Sequence, residues 1–96
     1  MSSTADNLGV VRQRAEWMRP KDEEILEVMR DEGNMTPNAL EDLDVTVANY
    51  ASNRLSKMAK YDLVERVAYG LYRITDEGEA FLNEELDASR LDPADE

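Results

Sequence analysis

Cysteine and histidine are both absent from the 96 residues. Without Cys there is no disulfide framework and no thiolate, so nothing points to secretion or to thiol chemistry. Without His the usual neutral-pH base and the commonest metal ligand are missing. Long apolar runs are missing as well. None approaches the roughly 18 residues of a membrane span, and the first residues carry no hydrophobic signal core. Lysine is scarce, with only three among eleven bases, and the three prolines and four glycines are few enough to be read as punctuation.

What the chain has is acid. Asp and Glu total 22 against 11 Lys and Arg, for a formal charge of −11. An acid-rich, Lys-poor, Cys-free composition suits a protein kept soluble at very high salt, where charge repulsion is screened within about 3 Å at 1 M. The plainer alternative is an ordinary acidic cytosolic protein, and a cytoplasmic location is expected under either reading. With so many carboxylates, pairs such as Glu23/Glu24 and Glu84/Glu85 arise automatically and do not indicate acid–base catalysis. No nucleophile–base pair, phosphate-cradling glycine loop or metal-ligand spacing appears. The expectation is therefore no enzyme, no catalytic residue, no metal, no cofactor and no small-molecule ligand.

The length allows one small domain. Residues 1–19 read as an N-terminal arm, helical from residue 8, because Leu8, Val11, Ala15 and Met18 recur at spacings of three, four and three. Pro20 opens a helix with Asp22, Glu23 and Glu24 in its first turn, Ile25, Leu26 and Met29 buried, and Gly33 as its stop. Thr36-Pro37 caps a short helix through about Leu43, with Leu40 and Leu43 inward. Asp44-Val45 is a turn, and Thr46 caps a third helix to about Lys60. From Leu63 to Thr75 the period becomes strand-like, with Leu63, Val67, Tyr72 and Ile74 as apolar positions and Tyr69-Gly70 as the hairpin turn. Thr75 caps a last helix, TDEGEAFLNEEL, with Phe81, Leu82 and Leu86 inward. Gly78 weakens that helix by about 1 kcal/mol relative to Ala, which suggests a close backbone approach. Residues 88–96 read as a disordered acidic tail.

The order helix, helix, helix, hairpin, helix is that of a winged helix-turn-helix over residues 20–87, mainly α with a small β-hairpin (α+β). WMRPKDEEILEVM, TVANYASNRLSKM and above all DLVERVAYGLYRITDEGEAFLNEELD resemble the winged-helix regulators of halophilic archaea, the PhiH-type phage-repressor-like family. The resemblance spans roughly residues 16–87, and LYRITDEG is its most diagnostic piece. It implies a transcriptional regulator, most simply a repressor, that binds double-stranded DNA. The departure is at the wing tip, where Ala68-Tyr69-Gly70 lacks the usual basic residue, so minor-groove insertion by the wing does not carry over.

The third helix supports this reading on its own terms. Residues 45–61, VTVANYASNRLSKMAKY, contain no acid. At about 100° per residue, Val47, Ala48, Ala51, Leu55 and Met58 share the core side. Thr46, Asn49, Asn53, Ser56, Lys57 and Lys60 face away, with Tyr50 and Arg54 between. Asn pairs with adenine edges, and recognition helices approach bases with their N-terminal end. Asn49, Tyr50 and Asn53 are therefore the expected base contacts. Thr46, Arg54, Ser56, Lys57, Lys60, Arg66 and Arg73 are the expected phosphate contacts, with Glu65 a local partner for Arg66. A polar helix face can also be merely solvated.

One recognition helix reads few base pairs, so a homodimer across a palindrome is expected. Leu8, Val11, Ala15, Trp17, Met18, Phe81 and Leu82 are the candidate interface, with packing inside the domain as the competing role. The alternative function is a winged-helix module that binds protein, as an adaptor or antirepressor, through the apolar surface near Tyr50, Tyr61 and Tyr69.

Overall fold

The computed structural model describes residues 12–93. Pro20–Glu32 forms α1, Pro37–Asp42 α2 and Ala48–Lys60 α3. The hairpin of Val64–Ala68 (β1) and Leu71–Ile74 (β2) follows, then α4, Asp76–Leu82, and a 3₁₀ turn at Ala88–Arg90. A third segment joins the hairpin edge: Met35 and Tyr72 exchange both backbone hydrogen bonds at 2.9 Å.

The caps explain where helices begin. Thr36 Oγ1 accepts from the Ala39 amide at 3.0 Å, and Thr75 Oγ1 accepts from the Gly78 amide at 3.0 Å. Thr46 has no such role. The N-cap of α3 is Val47, and the carboxylate of Glu41 accepts from the Ala48 amide at 3.1 Å instead. Three helices stop where an acid takes a left-handed φ: Asp44 after α2, Asp62 after α3 and Glu84 after α4. Glu84 ends α4 at Leu82, a turn earlier than the reading through Leu86.

Ile25, Leu26 and Met29 of α1 meet Leu40 of α2, Ala51, Leu55 and Met58 of α3, and Phe81 and Leu82 of α4 in one buried core. Leu63, Val64 and Tyr72 close it from the hairpin side. Leu43 and Val47, assigned inward by helical spacing, are exposed. Each lies at a helix boundary, where the 100° periodicity no longer holds. Val67 is also exposed. The register pairs Val64 with Ile74, which puts Val64 inward, and a bulge between Arg66 and Ala68 displaces Val67.

The arm and tail differ from expectation together. Residues 12–19 contain no helix. Gln13 instead pairs in parallel with Asp87, and the Ala88 amide donates to the Gln13 carbonyl at 2.9 Å. This contact orders residues expected in a disordered tail: Ala88 is fully buried, and Asp87 caps the 3₁₀ turn through Ser89. Hydrogen bonds from the Ser89 hydroxyl and amide hold the Asp87 carboxyl below its ordinary pKa. Arg12 adds a second tie, donating to the Leu82 carbonyl and pairing with Glu23 and Glu27 of α1. Ala15 and Met18 are buried through this arrangement, so their spacing reflects docking of an extended arm. Leu8 and Val11 lie outside the described residues.

Gly78 is the close approach its position suggested. A Cβ there would overlap the Leu63 carbonyl oxygen and lie 2.7 Å from Ile74 Cγ1. Gly78→Ala is expected to destabilise the fold by about 1–3 kcal/mol, because backbone overlap outweighs the roughly 1 kcal/mol gain in helix propensity. Urea unfolding of the variant measures this directly.

Candidate nucleic-acid interface

The outward side of α3 is built by its inward one. Ala51, Leu55 and Met58 are fully buried, which turns Asn49, Tyr50, Ser52, Asn53, Ser56 and Lys60 to solvent. Thr46 and Lys57 are half-buried. Ser52 belongs to this face although the angular reading omitted it. No carboxylate interrupts the face along α3, so it presents amides, hydroxyls and two ammonium groups. One acid does reach its N-terminal end, because the Glu41 cap comes from α2. That contact spans seven residues and was not legible from the composition of residues 45–61.

Lys57 Nζ lies 6.0 Å from the centroid of the Tyr61 ring, close enough for a cation–π contact that keeps the ammonium beside the helix. Lys57 and Lys60 also occupy the last turn of α3, where positive charge complements the carbonyl end of the helix.

Arg54 has a different role from the one expected. Its Nε and Nη2 donate to the two carboxylate oxygens of Asp22 at 2.8 and 2.7 Å, and Nη2 also donates to the Trp17 carbonyl at 3.1 Å. Asp22 is fully buried and also accepts from the Arg19 amide at 3.0 Å. The hydrogen bonds that Arg54 donates to Asp22 raise the guanidinium pKa above its already high ordinary value. Arg54 is therefore withdrawn from the phosphate contacts: its donors point inward and join α3 to α1. Trp17 completes the joint, stacked on Tyr61 with centroids 4.5 Å apart and with the Arg54 guanidinium 5.9 Å from its ring.

Across an open groove from α3 stands the hairpin. The groove is lined by Thr36, Ser52, Ser56, Arg66 and Tyr69, which places helix hydroxyls opposite the wing. Arg66 lies 5.7 Å from the Tyr72 ring centroid, with Nη2 3.4 Å from the Tyr72 hydroxyl. Its expected partner Glu65 pairs with Arg73 across the strands, at 2.8 Å from Nε, because Glu65 and Arg73 are register partners. No carboxylate pairs with Arg66 among the described residues. Arg73 can meet a phosphate only by giving up Glu65. Tyr69, at the wing tip, is 99% exposed.

The dimer candidates fare unevenly. Ala15, Met18, Phe81 and Leu82 are buried in the domain's own core and offer no surface to a second copy. Trp17 is half-buried in the joint with Tyr61. No described group of acidic residues could hold a metal ion, and no described helix is long and apolar enough to cross a membrane.

The family described as winged helix-turn-helix phage repressor matches residues 11–94. The chain belongs to this family. Its helices and antiparallel hairpin are the family's winged-helix fold, and the family is one of repressor-like regulators and not of enzymes. Among solved structures, the chain is similar to the PhiH1 repressor-like protein from Haloarcula marismortui. The two are 44% identical, with a TM-score of 0.81 over 86% of this chain and 97% of that one. No curated protein matches the chain.

Proposed function

We propose that this winged helix is a sequence-specific regulator of transcription that binds double-stranded DNA through the major groove with α3. The observation that carries the proposal is the carboxylate-free outward face of α3 in a chain of charge −11. A carboxylate there would oppose the phosphate backbone, whereas amides and hydroxyls match base edges. Asn49, Tyr50 and Asn53 read bases. Thr46, Ser56, Lys57, Lys60 and Arg66 contact phosphates, and Arg73 does so only when released from Glu65. Repression is the simplest mode, since a DNA-bound domain blocks polymerase by occupancy. The similarity to a PhiH1 repressor-like protein supports it.

A palindromic operator bound by a homodimer suits a domain with one reading helix. Leu8 and Val11 remain candidates for the contact between copies. The acidic composition, and the organism of the similar structure, support work in a high-salt cytoplasm.

Selection from a random duplex pool, followed by binding titrations across KCl concentrations, tests the proposal. Enrichment of one sequence is expected. With Lys57, Lys60 and Arg66 as the main cations, the slope of log K against log salt should be about −3 per protomer, at about −0.9 per neutralised phosphate. A slope steeper than about −6 per protomer would contradict this small set. Absence of any enriched duplex would sink DNA reading itself.

A further inference from the structure

Among the described residues, the large apolar side chains that stand exposed are Leu43, Val47, Tyr50, Val67 and Tyr69. None lies on α1 or α4. Val47 and Tyr50 lie at the start of α3, Leu43 is the C-cap of α2, and Val67 and Tyr69 are on the hairpin, where Tyr69 lines the groove. An acidic, well-solvated protein has no reason of solubility or capping to place Val at the N-cap of α3. Its side chain makes no cap hydrogen bond and is 59% exposed. Ser, Thr, Asp or Asn at that position would stabilise the helix.

From this we infer that Val47, with Tyr50 one turn later, reads thymine through its 5-methyl group, making these two side chains specificity determinants. This rests on the proposal that α3 enters the major groove. Only thymine, among the four bases, presents a methyl group in that groove. Val47 is at the N-terminal end of α3, the end that approaches base edges in helix-turn-helix proteins. Tyr50 is near the same face, beside Asn49 and Asn53, and the helix behind them carries Lys57 and Lys60 rather than acid. The one carboxylate at the start of α3, Glu41, is engaged by the Ala48 amide, and the helix from Ala48 to Lys60 carries two lysines and no acid, so its charge favours a nucleic acid as the occupant. A second copy of the chain is the weaker occupant, because two side chains cannot supply the roughly 800 Å² per partner that a stable interface buries. Leu43 is excluded from the reading pair. It stands between Asp42 and Asp44, whose carboxylates would face phosphate. Apolar contact with a methyl group also releases no counterions, so this part of the recognition survives high salt.

The test replaces each thymine of the selected duplex by deoxyuridine, which removes the methyl and keeps every hydrogen-bonding group. Wild-type protein is expected to lose about three- to fivefold in affinity at one or two positions, the value of one buried methyl. In Val47→Ala that penalty should fall below twofold at one position, while thermal melting shows the variant folded. The inference is overturned if no uridine position costs more than twofold, if the penalties persist undiminished in both Val47→Ala and Tyr50→Ser, or if the selected sequence lacks thymine. Sedimentation separates the remaining case: loss of self-association in Val47→Ala with unchanged DNA affinity would assign the patch to contact between copies. Failure to select any duplex would remove the DNA reading beneath the inference as well, and is distinguishable from all of these.

Discussion

Arg54→Ala should unfold at markedly lower urea than the wild type, with a loss of about 3–5 kcal/mol, because it strands a buried carboxylate. Asp22 has no access to solvent, and its remaining partner is one backbone amide, that of Arg19. A domain of this size has about 5–15 kcal/mol in total, so the loss takes a large share of the stability. The sign follows from the asymmetry of buried pairs. Removing one partner leaves a charge without compensation, whereas removing both can be nearly neutral. The double variant Asp22→Leu/Arg54→Met should therefore recover most of the loss, though not all, since the Arg19 amide then loses its acceptor. Arg54→Lys should fall between, keeping the charge while losing the two-pronged geometry. Fluorescence of Trp17 is a local probe, since its ring is stacked on Tyr61 and covered by the Arg54 guanidinium. If Arg54→Ala proved neutral, the joint between α1 and α3 would not be a stabilising contact.

The same residue separates structural from phosphate roles in DNA binding. Where Arg54→Lys remains folded, its slope of log K against log salt should match the wild type. Lys57→Ala should make that slope shallower by about 0.9. An equal change in both variants would return Arg54 to the phosphate contacts.

Arg54 also illustrates what the amino-acid sequence could reveal and what it could not. Its charge, helix and angular position are local properties, and they place it at the edge of the outward face. Its partner Asp22 lies 32 residues away, on a helix whose packing against α3 no local pattern states. The carboxylate of Asp22 looked like one of three first-turn acids, and burial alone singles it out. Local chemistry was legible wherever the structure uses it locally: Thr36 and Thr75 as caps, Tyr69-Gly70 as the hairpin turn, Gly78 as a close approach. Misreadings occurred where two segments cooperate. Glu41 caps α3 from another helix, and Gln13 draws Asp87 and Ala88 into order. The stripe Ala15/Met18 is buried, as its spacing suggested, but by an extended arm docked on the domain. Val67 failed for another reason: the alternation was counted from Leu63, whereas Val64 is the inward residue of the strand, which leaves Val67 on the opposite face at the bulge. The outward residues of α3 survived all of this because the inward ones, Ala51, Leu55 and Met58, are a regular helical series within one element.

Charge reversal at Lys57 and Lys60 should abolish specific DNA binding at moderate salt, by on the order of a hundredfold or more. Each substitution removes one phosphate neutralisation and adds one repulsion, so the double variant changes four units of charge on a face with few cations. Stability suffers less. Both lysines lie in the last turn of α3, where reversing a charge against the carbonyl end costs about 0.3–1 kcal/mol each, and Lys57 also loses its contact with the Tyr61 ring. Circular dichroism and thermal melting at the titration temperature establish that the variant is folded. Long-range repulsion from a more acidic protein is the competing explanation for any loss, and the third lysine of the chain controls for it. Lys21 is on α1, paired with Glu24 at 2.8 Å, so Lys21→Glu changes the net charge as much as Lys57→Glu does, away from the α3 face. If the outward face of α3 meets DNA, Lys57→Glu costs tenfold or more while Lys21→Glu costs about twofold at 0.1 M salt. Equal losses would reduce the effect to net charge. Retained binding in the double variant would mean that DNA, if bound, approaches another surface, and the carboxylate-free face of α3 would then need a protein partner to explain it.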